Sequence, residues 1–287
     1  MIAQSDYMLG KDEFKLICDV VYEHCGISLG DEKVALVRAR VARQIRAGGF
    51  SSVGAYLQYA LADRGSNAFA GFIDAISTNL TSFFREPQHF DFLMSTFLPA
   101  LLEKKRKAGD GRVLAWSAAC SSGEEPYSMA MTILDAVNRI DAGSLRWDLR
   151  LLATDISTAM LAQARAGVYL RSRLAAVPVG LRTRYFAPVP RVDGEEAMEA
   201  APALRSLIRF RHLNLMDAWP FSGPFDFIFC RNVMIYFDQQ TQQKLVERYW
   251  QCLRPGGLLF TGHSESLTGV AHRFAHWRAS IYEKSPL

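Results

Sequence analysis

The sequence predicts an α/β protein: a doubly wound parallel sheet with a small inserted β subdomain, preceded by an all-α unit. Three observations carry this. From Arg112 onward, apolar runs alternate with helical stretches, the pattern of βαβ units. The first run, Val113–Trp116, stops at small residues, Ser117–Gly123. Glu124, Glu125 and Pro126 follow, and a helical pattern then opens. Strand, tight turn and helix start in that order mark where open α/β sheets bind nucleotide-like ligands. Before residue 79 the pattern is helical, without strand signals.

Residues 1–78 form the helical unit. Phe14, Ile17, Val20 and Val21 give one apolar face, and Val34, Val37, Val41 and Ile45 a second. Tyr56, Leu57 and Leu61 begin a third, and Phe69, Phe72, Ile73 and Ile76 a fourth, at helical spacing. Gly26, Gly30, Gly48–Gly49 and Gly65 separate them. On the second helix Lys33, Arg40, Arg43 and Arg46 fall away from the valine stripe, with Arg38 near its edge. Such a face is either solvated or docks an acidic partner. No aromatic residues interleave to stack RNA bases.

Residues 79–111 are a linker and the first helix of the α/β domain, which occupies 112–287. In the linker, Asn79–Pro87 sets two phenylalanines among polar groups. Trp147–Ala153 is a second strand ending at Thr154–Asp155, and Ser157 caps the helix that follows. Over about 169–211, four prolines and the acidic tract Asp193–Glu199 interrupt the pattern, while Leu207–Arg211 alternates like a strand. This stretch reads as the partly antiparallel β insertion. Pro224–Cys230 is a buried central strand capped by Arg231–Asn232. Thr241–Leu253 is an amphipathic helix ended by the turn Arg254–Gly257. Leu258–Thr261 is the next strand and Ile281–Lys284 a final edge strand.

A composition of 49% hydrophobic and 22% charged residues is that of an ordinary globular protein, and a net charge of +4 is too mild to imply nucleic acid. The five cysteines are odd in number and widely spaced without CxxC, so reduced thiols in a cytoplasmic protein are expected. Met1–Gly10 lacks a signal-peptide pattern, and no apolar stretch approaches the ~20 residues of a membrane span. Nothing demands more than a monomer.

In a parallel sheet four strand ends share one rim: Ala118–Glu125, Asp155, Asn214–Leu215 and Arg231–Asn232. Carboxylates after the small-residue turn repel phosphate but suit hydroxyls or an ammonium group. They point to a nucleoside with a positive charge and no phosphates. Asp155 suits ribose hydroxyls, or else caps a helix. The GxGxxG glycines are missing, which disfavours NAD. His272 and His276 are four apart on a possible helix but lack a third ligand, so no metal is expected. Gly262–Ser266 reads as a loop at the sheet rim rather than a nucleophile elbow.

Five segments, NLTSFFREPQHF (Asn79–Phe90), WSAACSSGEEPYSMA (Trp116–Ala130), ATDIS (Ala153–Ser157), FDFIFCRNVMIYFD (Phe225–Asp238) and LRPGGLLFTGHSESL (Leu253–Leu267), occur in this order. Together the chain resembles the CheR family, S-adenosylmethionine-dependent methyltransferases that act on chemoreceptors. The resemblance implies a Rossmann-like methyltransferase domain behind a helical one. It implies that Asn79, Thr81 and Arg85 line the cofactor site, with Arg85 on the methionine carboxylate. Glu125 is implied as a cofactor contact, Asp155 as the ribose acid, and Asn214 and Leu215 as the adenine pair. Arg231 and Asn232 complete the cofactor set, and Arg231 with Tyr236 borders the transfer site.

The implied acceptor is a glutamate side chain on the receptor's cytoplasmic methylation helices, giving a methyl ester and S-adenosylhomocysteine. Those helices are acidic, which gives Lys33, Arg38, Arg40, Arg43 and Arg46 a receptor-binding role. Arg231→Ala is expected to cut turnover while leaving cofactor affinity largely intact. In some members the insertion docks a receptor C-terminal peptide. Here Arg191–Leu204 is acidic and Ala-rich without a glycine-rich turn, so no such tether is expected. A methyltransferase for RNA or a small molecule, or a non-catalytic cofactor-binding scaffold, is the alternative. Arg231 and Tyr236 together at the transfer rim favour catalysis.

Overall fold

Helices α1 (Lys11–Cys25), α2 (Val34–Gly48), α3 (Val53–Leu61) and α4 (Asn67–Ile76) account for the expected helical unit. The structure, a computed structural model, describes residues 7–140, 145–192 and 194–285. Residues 1–6 of the signal-peptide reading and Asp193 of the acidic tract lie outside these. Gly26 and Gly49 end α1 and α2 at φ 73° and 70°, backbone that glycine adopts without penalty. Ser52 and Ser66 start α3 and α4 by accepting the N–H groups of Ala55 and Phe69. The four apolar stripes bury into a core of their own, with Val34 and Leu61 at its margin.

The second unit begins with α5 (Pro87–Phe92), a π-helical turn and α6 (Leu98–Lys107), which lead into β1 (Arg112–Ala118), α7 (Glu124–Ile140), β2 (Asp148–Asp155) and α8 (Thr158–Ala166). The insertion holds β3 (Val168–Leu170), α9 (Val179–Tyr185), β4 (Phe186–Val192), β5 (Glu195–Ala200) and α10 (Pro202–Leu207). Its strands form a separate antiparallel sheet in the order β3-β5-β4. The chain then returns through β6 (Ile208–His212), β7 (Phe225–Cys230), α11 (Gln239–Cys252), β8 (Leu253–Phe260), β9 (Ala275–Arg278) and β10 (Ile281–Glu283).

The main sheet runs β6-β2-β1-β7-β8-β10-β9. Its first five strands are parallel, and β10 and β9 are antiparallel additions. Successive residues of β1 feed opposite cores: Val113 and Ala115 one, Trp116 and Ala118 the other, as strand alternation requires. The order reverses direction at β1, between β2 and β7, so a crevice opens at the carboxyl ends of these strands. No helix among the described residues is long and apolar enough to cross a membrane.

Four details depart from the sequence reading. The sheet is mixed, not wholly parallel. The strand expected inside the insertion is β6, which pairs with β2 in the main sheet. Ile281–Lys284 is not the edge, because β9 covers β10. Arg254–Gly257 bulges out within β8: Phe225 pairs with Leu253, yet Phe227 pairs with Leu258. Alternation identifies a strand but carries no record of its neighbour.

The two units meet at the rim. The Asn214 side chain donates to the His24 carbonyl at 2.6 Å. Ser28 N–H donates to the Tyr236 carbonyl at 2.8 Å, and Ile27 forms an antiparallel bridge with Phe237. These contacts lay the start of α2 beside the carboxyl ends of the strands.

Candidate active site

The turn after β1 is tightly constrained backbone. Ala119 and Ser121 stand at φ 62° and 49°, and Gly123 at φ 98°. Left-handed backbone is costly for residues with a Cβ and persists where surroundings over-determine it. Here the Cys120 N–H donates to the Thr154 carbonyl at 2.9 Å. Ser121 N–H donates to Asp155 Oδ2 at 2.7 Å, and Ser121 Oγ to the Asn79 carbonyl at 2.9 Å. A Cβ on Gly123 would meet the Tyr169 hydroxyl at 2.7 Å and Ala164 Cβ at 2.9 Å. The insertion thus supports the turn: Tyr169 donates to the Ser122 carbonyl, and Arg173 pairs with the buried Glu124.

Asp155, at the end of β2, is buried. Each carboxylate oxygen accepts a backbone N–H, from Ser121 at 2.7 Å and Ser157 at 2.8 Å. Burial pushes its pKa up to about 6 against the pull of those bonds. Ser157, not Asp155, caps α8. That leaves the remaining lone pairs of Asp155 for the cavity.

Arg231 follows β7, and its side chain is only 1% exposed. It donates to Glu86 Oε2 at 2.9 Å, to Glu125 Oε2 at 3.3 Å and to the Arg85 carbonyl. Phe90 and Phe229 face it at 5.7 and 5.4 Å. Burial raises Glu125 despite Arg231. Glu86 is also buried in part, yet Arg231 and the N–H groups of His263 and Asn232 hold it low. One guanidinium thus serves two carboxyls, and the deeper one stays high. Arg231 is therefore not free to orient an acceptor carboxylate, which is a correction to its expected role. Its bonds instead fix Arg85, Glu86 and Glu125.

Two groups escaped sequence reading. Glu86 sits beside Arg85 in a segment where only its neighbours stood out, and besides Arg231 it accepts from Asn232 Nδ2 and the His263 N–H. Glu265, in the rim loop Gly262–Ser266, accepts four backbone N–H groups. No periodicity or spacing marks either one. Among the described residues Glu86, His89 and His263 bring metal-ligating atoms within 4.8 Å of one another, but Arg231 already holds the Glu86 carboxylate. His272 and His276 lie on no helix. Their rings instead pack near Tyr282 at 5.8 and 5.6 Å.

One cavity gathers the expected cofactor residues. Asn79, Thr81 and Arg85 come from the linker, Glu125 from α7, Asp155 from β2, Asn214 and Leu215 from the segment after β6, and Arg231, Asn232 and Tyr236 from the segment after β7. Lys33 and Arg40 of the basic helix also line it, whereas Arg38, Arg43 and Arg46 stand outside on exposed positions. Arg40 is half-buried, and its guanidinium donates to the Ile76 and Ser77 carbonyls and to Thr78 Oγ1. It anchors the linker rather than offering a free charge. The Asn214 side chain is likewise engaged, donating to His24 and accepting from the Met216 N–H.

This donor set fits S-adenosylmethionine. Asp155 suits ribose hydroxyls, and Arg85 suits the methionine carboxylate. The Ser121 N–H that might have cradled a phosphate is committed to Asp155.

Comparison with known proteins agrees. Residues 79–282 match the CheR methyltransferase SAM-binding domain, and residues 12–77 the CheR methyltransferase all-alpha domain. The chain is 41% identical over 252 residues to a probable chemotaxis protein methyltransferase of Rhizobium etli, covering 88% of this chain and 91% of that one. It is 39% identical to the chemotaxis protein methyltransferase of Salmonella typhimurium, covering 96% and 91%. It is 38% identical to that of Escherichia coli, covering 96% and 92%. A turn, an acid and an arginine cluster that suit S-adenosylmethionine, on a chain matched from residue 12 to 282, make one conclusion plain: this chain belongs to the CheR methyltransferase family.

Proposed function

We propose that the protein methylates glutamate side chains on the cytoplasmic helices of chemoreceptors, giving methyl esters and S-adenosylhomocysteine. The observation that carries this is the joining, in one cavity, of the cofactor residues with Tyr236 and with the cationic start of α2. The relatives' names, chemotaxis protein methyltransferase, support the receptor as acceptor.

S-adenosylmethionine, when bound, supplies a methyl carbon activated by a sulfonium. A glutamate of ordinary pKa, ~4.3, is ionised at neutral pH, so no general base is needed. The acceptor oxygen gives its lone pair to the new C–O bond, the electron pair of the broken C–S bond stays on sulfur, and no proton changes hands. The protein's work is positioning and water exclusion. Asp155, Arg85 and the Asn214–Leu215 segment would hold the two ends of the cofactor. Tyr236, half-buried at the mouth, orients the acceptor carboxylate, while Arg231 acts through Glu86, Glu125 and the Arg85 carbonyl. Exposed Arg38, Arg43 and Arg46 steer the acidic helix toward the mouth.

The test is incubation with methyl-labelled S-adenosylmethionine and receptor cytoplasmic fragments. Label released by mild base is expected, as for a carboxyl ester. Base-stable label, or label on RNA, would overturn the reading.

A further inference from the structure

Resting on the function proposed above, we infer that Glu265 is a positioning residue of the acceptor side, holding the Arg231–Tyr236 segment in the shape that lines up acceptor and methyl carbon. Glu265 is 5% exposed. Its Oε1 accepts the N–H groups of Val233 at 2.7 Å and Ile235 at 3.2 Å. Its Oε2 accepts those of Asn232 at 2.6 Å and Gly262 at 2.5 Å. Three of these four donors belong to the segment that leads from the buried Arg231 to Tyr236.

That segment is irregular, and besides Glu265 it is held at its far end by the Ser28 N–H on the Tyr236 carbonyl and by Gln242 Nε2 on the Met234 carbonyl. Asn232 sits at φ 58°, and Met234–Tyr236 form a single 3₁₀ turn. Convergent N–H groups of this kind make an anion-binding concavity and repel one another without the anion. The carboxylate supplies that anion from the loop after β8. It is itself fixed, because Thr261 Oγ1 donates to the Glu265 carbonyl and Glu265 N–H donates to the Gly262 carbonyl, both at 2.9 Å. Gly262 leaves it room: a Cβ there would meet Glu265 Oε2 and Asn232 Nδ2, each at 2.6 Å.

The consequence falls on one side of the site. Asn79, Thr81, Arg85, Glu125, Asp155, Asn214, Leu215 and Arg231 donate no hydrogen bond to the Glu265 carboxylate, and of the expected cofactor set only Asn232 does, through its backbone N–H. Tyr236 and the half-exposed Ile235 (49%) ride on the segment it holds. Misplacement of Tyr236 by an ångström is enough to cost about a hundredfold in rate.

The experiment compares the full-length protein with Glu265→Gln and Gly262→Ala. The first keeps the shape but turns an amide NH₂ toward N–H donors, and the second displaces the same carboxylate together with Asn232 by contact, so the Glu265→Gln variant carries the comparison of kcat with cofactor affinity. Cofactor affinity is measured by calorimetry, and kcat is counted per cofactor-binding site with a receptor fragment. In both variants kcat should fall about ten- to a hundredfold, while in Glu265→Gln the cofactor Kd stays within about threefold. Either variant, folded and binding cofactor, that keeps its kcat, or a Glu265→Gln variant that loses affinity and kcat in parallel, overturns the inference. A wild-type protein that binds the cofactor yet esterifies no receptor glutamate overturns the proposed function instead.

Discussion

The Arg231 guanidinium lies between Glu86 at 2.9 Å and Glu125 at 3.3 Å, in a place water scarcely reaches. Removing one partner of a buried ion pair costs about 3–5 kcal/mol, because the charge left behind is uncompensated. Here two carboxylates would be left. Arg231→Ala is therefore predicted to lower thermal stability by about that amount and to weaken cofactor binding as Arg85 and Glu125 lose their support. Melting and calorimetry check it, and a variant with unchanged stability and cofactor affinity would restore the simpler role read from sequence.

Asp155 gives a pH prediction. Its pKa of about 6 lies above the ordinary carboxyl value of 3.8. The folded state therefore favours its protonated form. Its contribution to stability is full below pH 3.8 and is lost as pH rises through about 6. Cofactor binding through the ionised carboxylate follows the opposite course. At pH 5 most of the population is protonated, so affinity should be weaker than at pH 7.5 by up to about tenfold. Asp155→Asn should bind weakly at both values and remove the step near pH 6. A step of equal size in that variant would move the assignment to another group, Glu125 being a second carboxyl of the cavity that burial also raises.

At the scale of elements, α2 divides its own basic face. Arg40 is spent on the Ile76 and Ser77 carbonyls and Thr78, while Arg38, Arg43 and Arg46 are exposed. Reversing Arg43 and Arg46 to Glu should raise the receptor-fragment KM, more strongly at low salt, and leave the melting temperature nearly unchanged, since such surface changes stay within about 0.5 kcal/mol. Arg40→Ala should do the reverse: lower the melting temperature and the cofactor affinity by freeing the chain next to Asn79. Receptor binding indifferent to ionic strength would end the docking role. The same division marks what the sequence could reveal. Helical stripes and the Asp155 and Glu125 positions were legible because their signals are local. The roles of Arg40, Glu86 and Glu265 were not, because each depends on partners 30 to 177 residues away, and no spacing along the chain encodes that contact. The order of β9 and β10 was hidden for the same reason.

For the whole molecule, the helical unit and the sheet own the site jointly. Asn214, in the cavity wall after β6, is tied to the His24 carbonyl of α1. Tyr236, in the cavity wall after β7, accepts the Ser28 N–H through its carbonyl. Lys33 and Arg40 form part of the cavity wall. A ligand filling that cavity presses on both units at once, so its binding energy must stabilise both. At a concentration of 100 Kd a ligand adds about 2.7 kcal/mol to the state that binds it. S-adenosylhomocysteine is therefore predicted to raise the melting temperature of the full chain by several degrees within one cooperative transition. In a domain whose helical unit merely lay against the sheet, two transitions would separate and only the second would move. Scanning calorimetry with and without the ligand distinguishes these cases. A helical unit that melts first and at an unchanged temperature would show that the contacts at His24, Ser28 and Ile27 do not transmit binding across the junction.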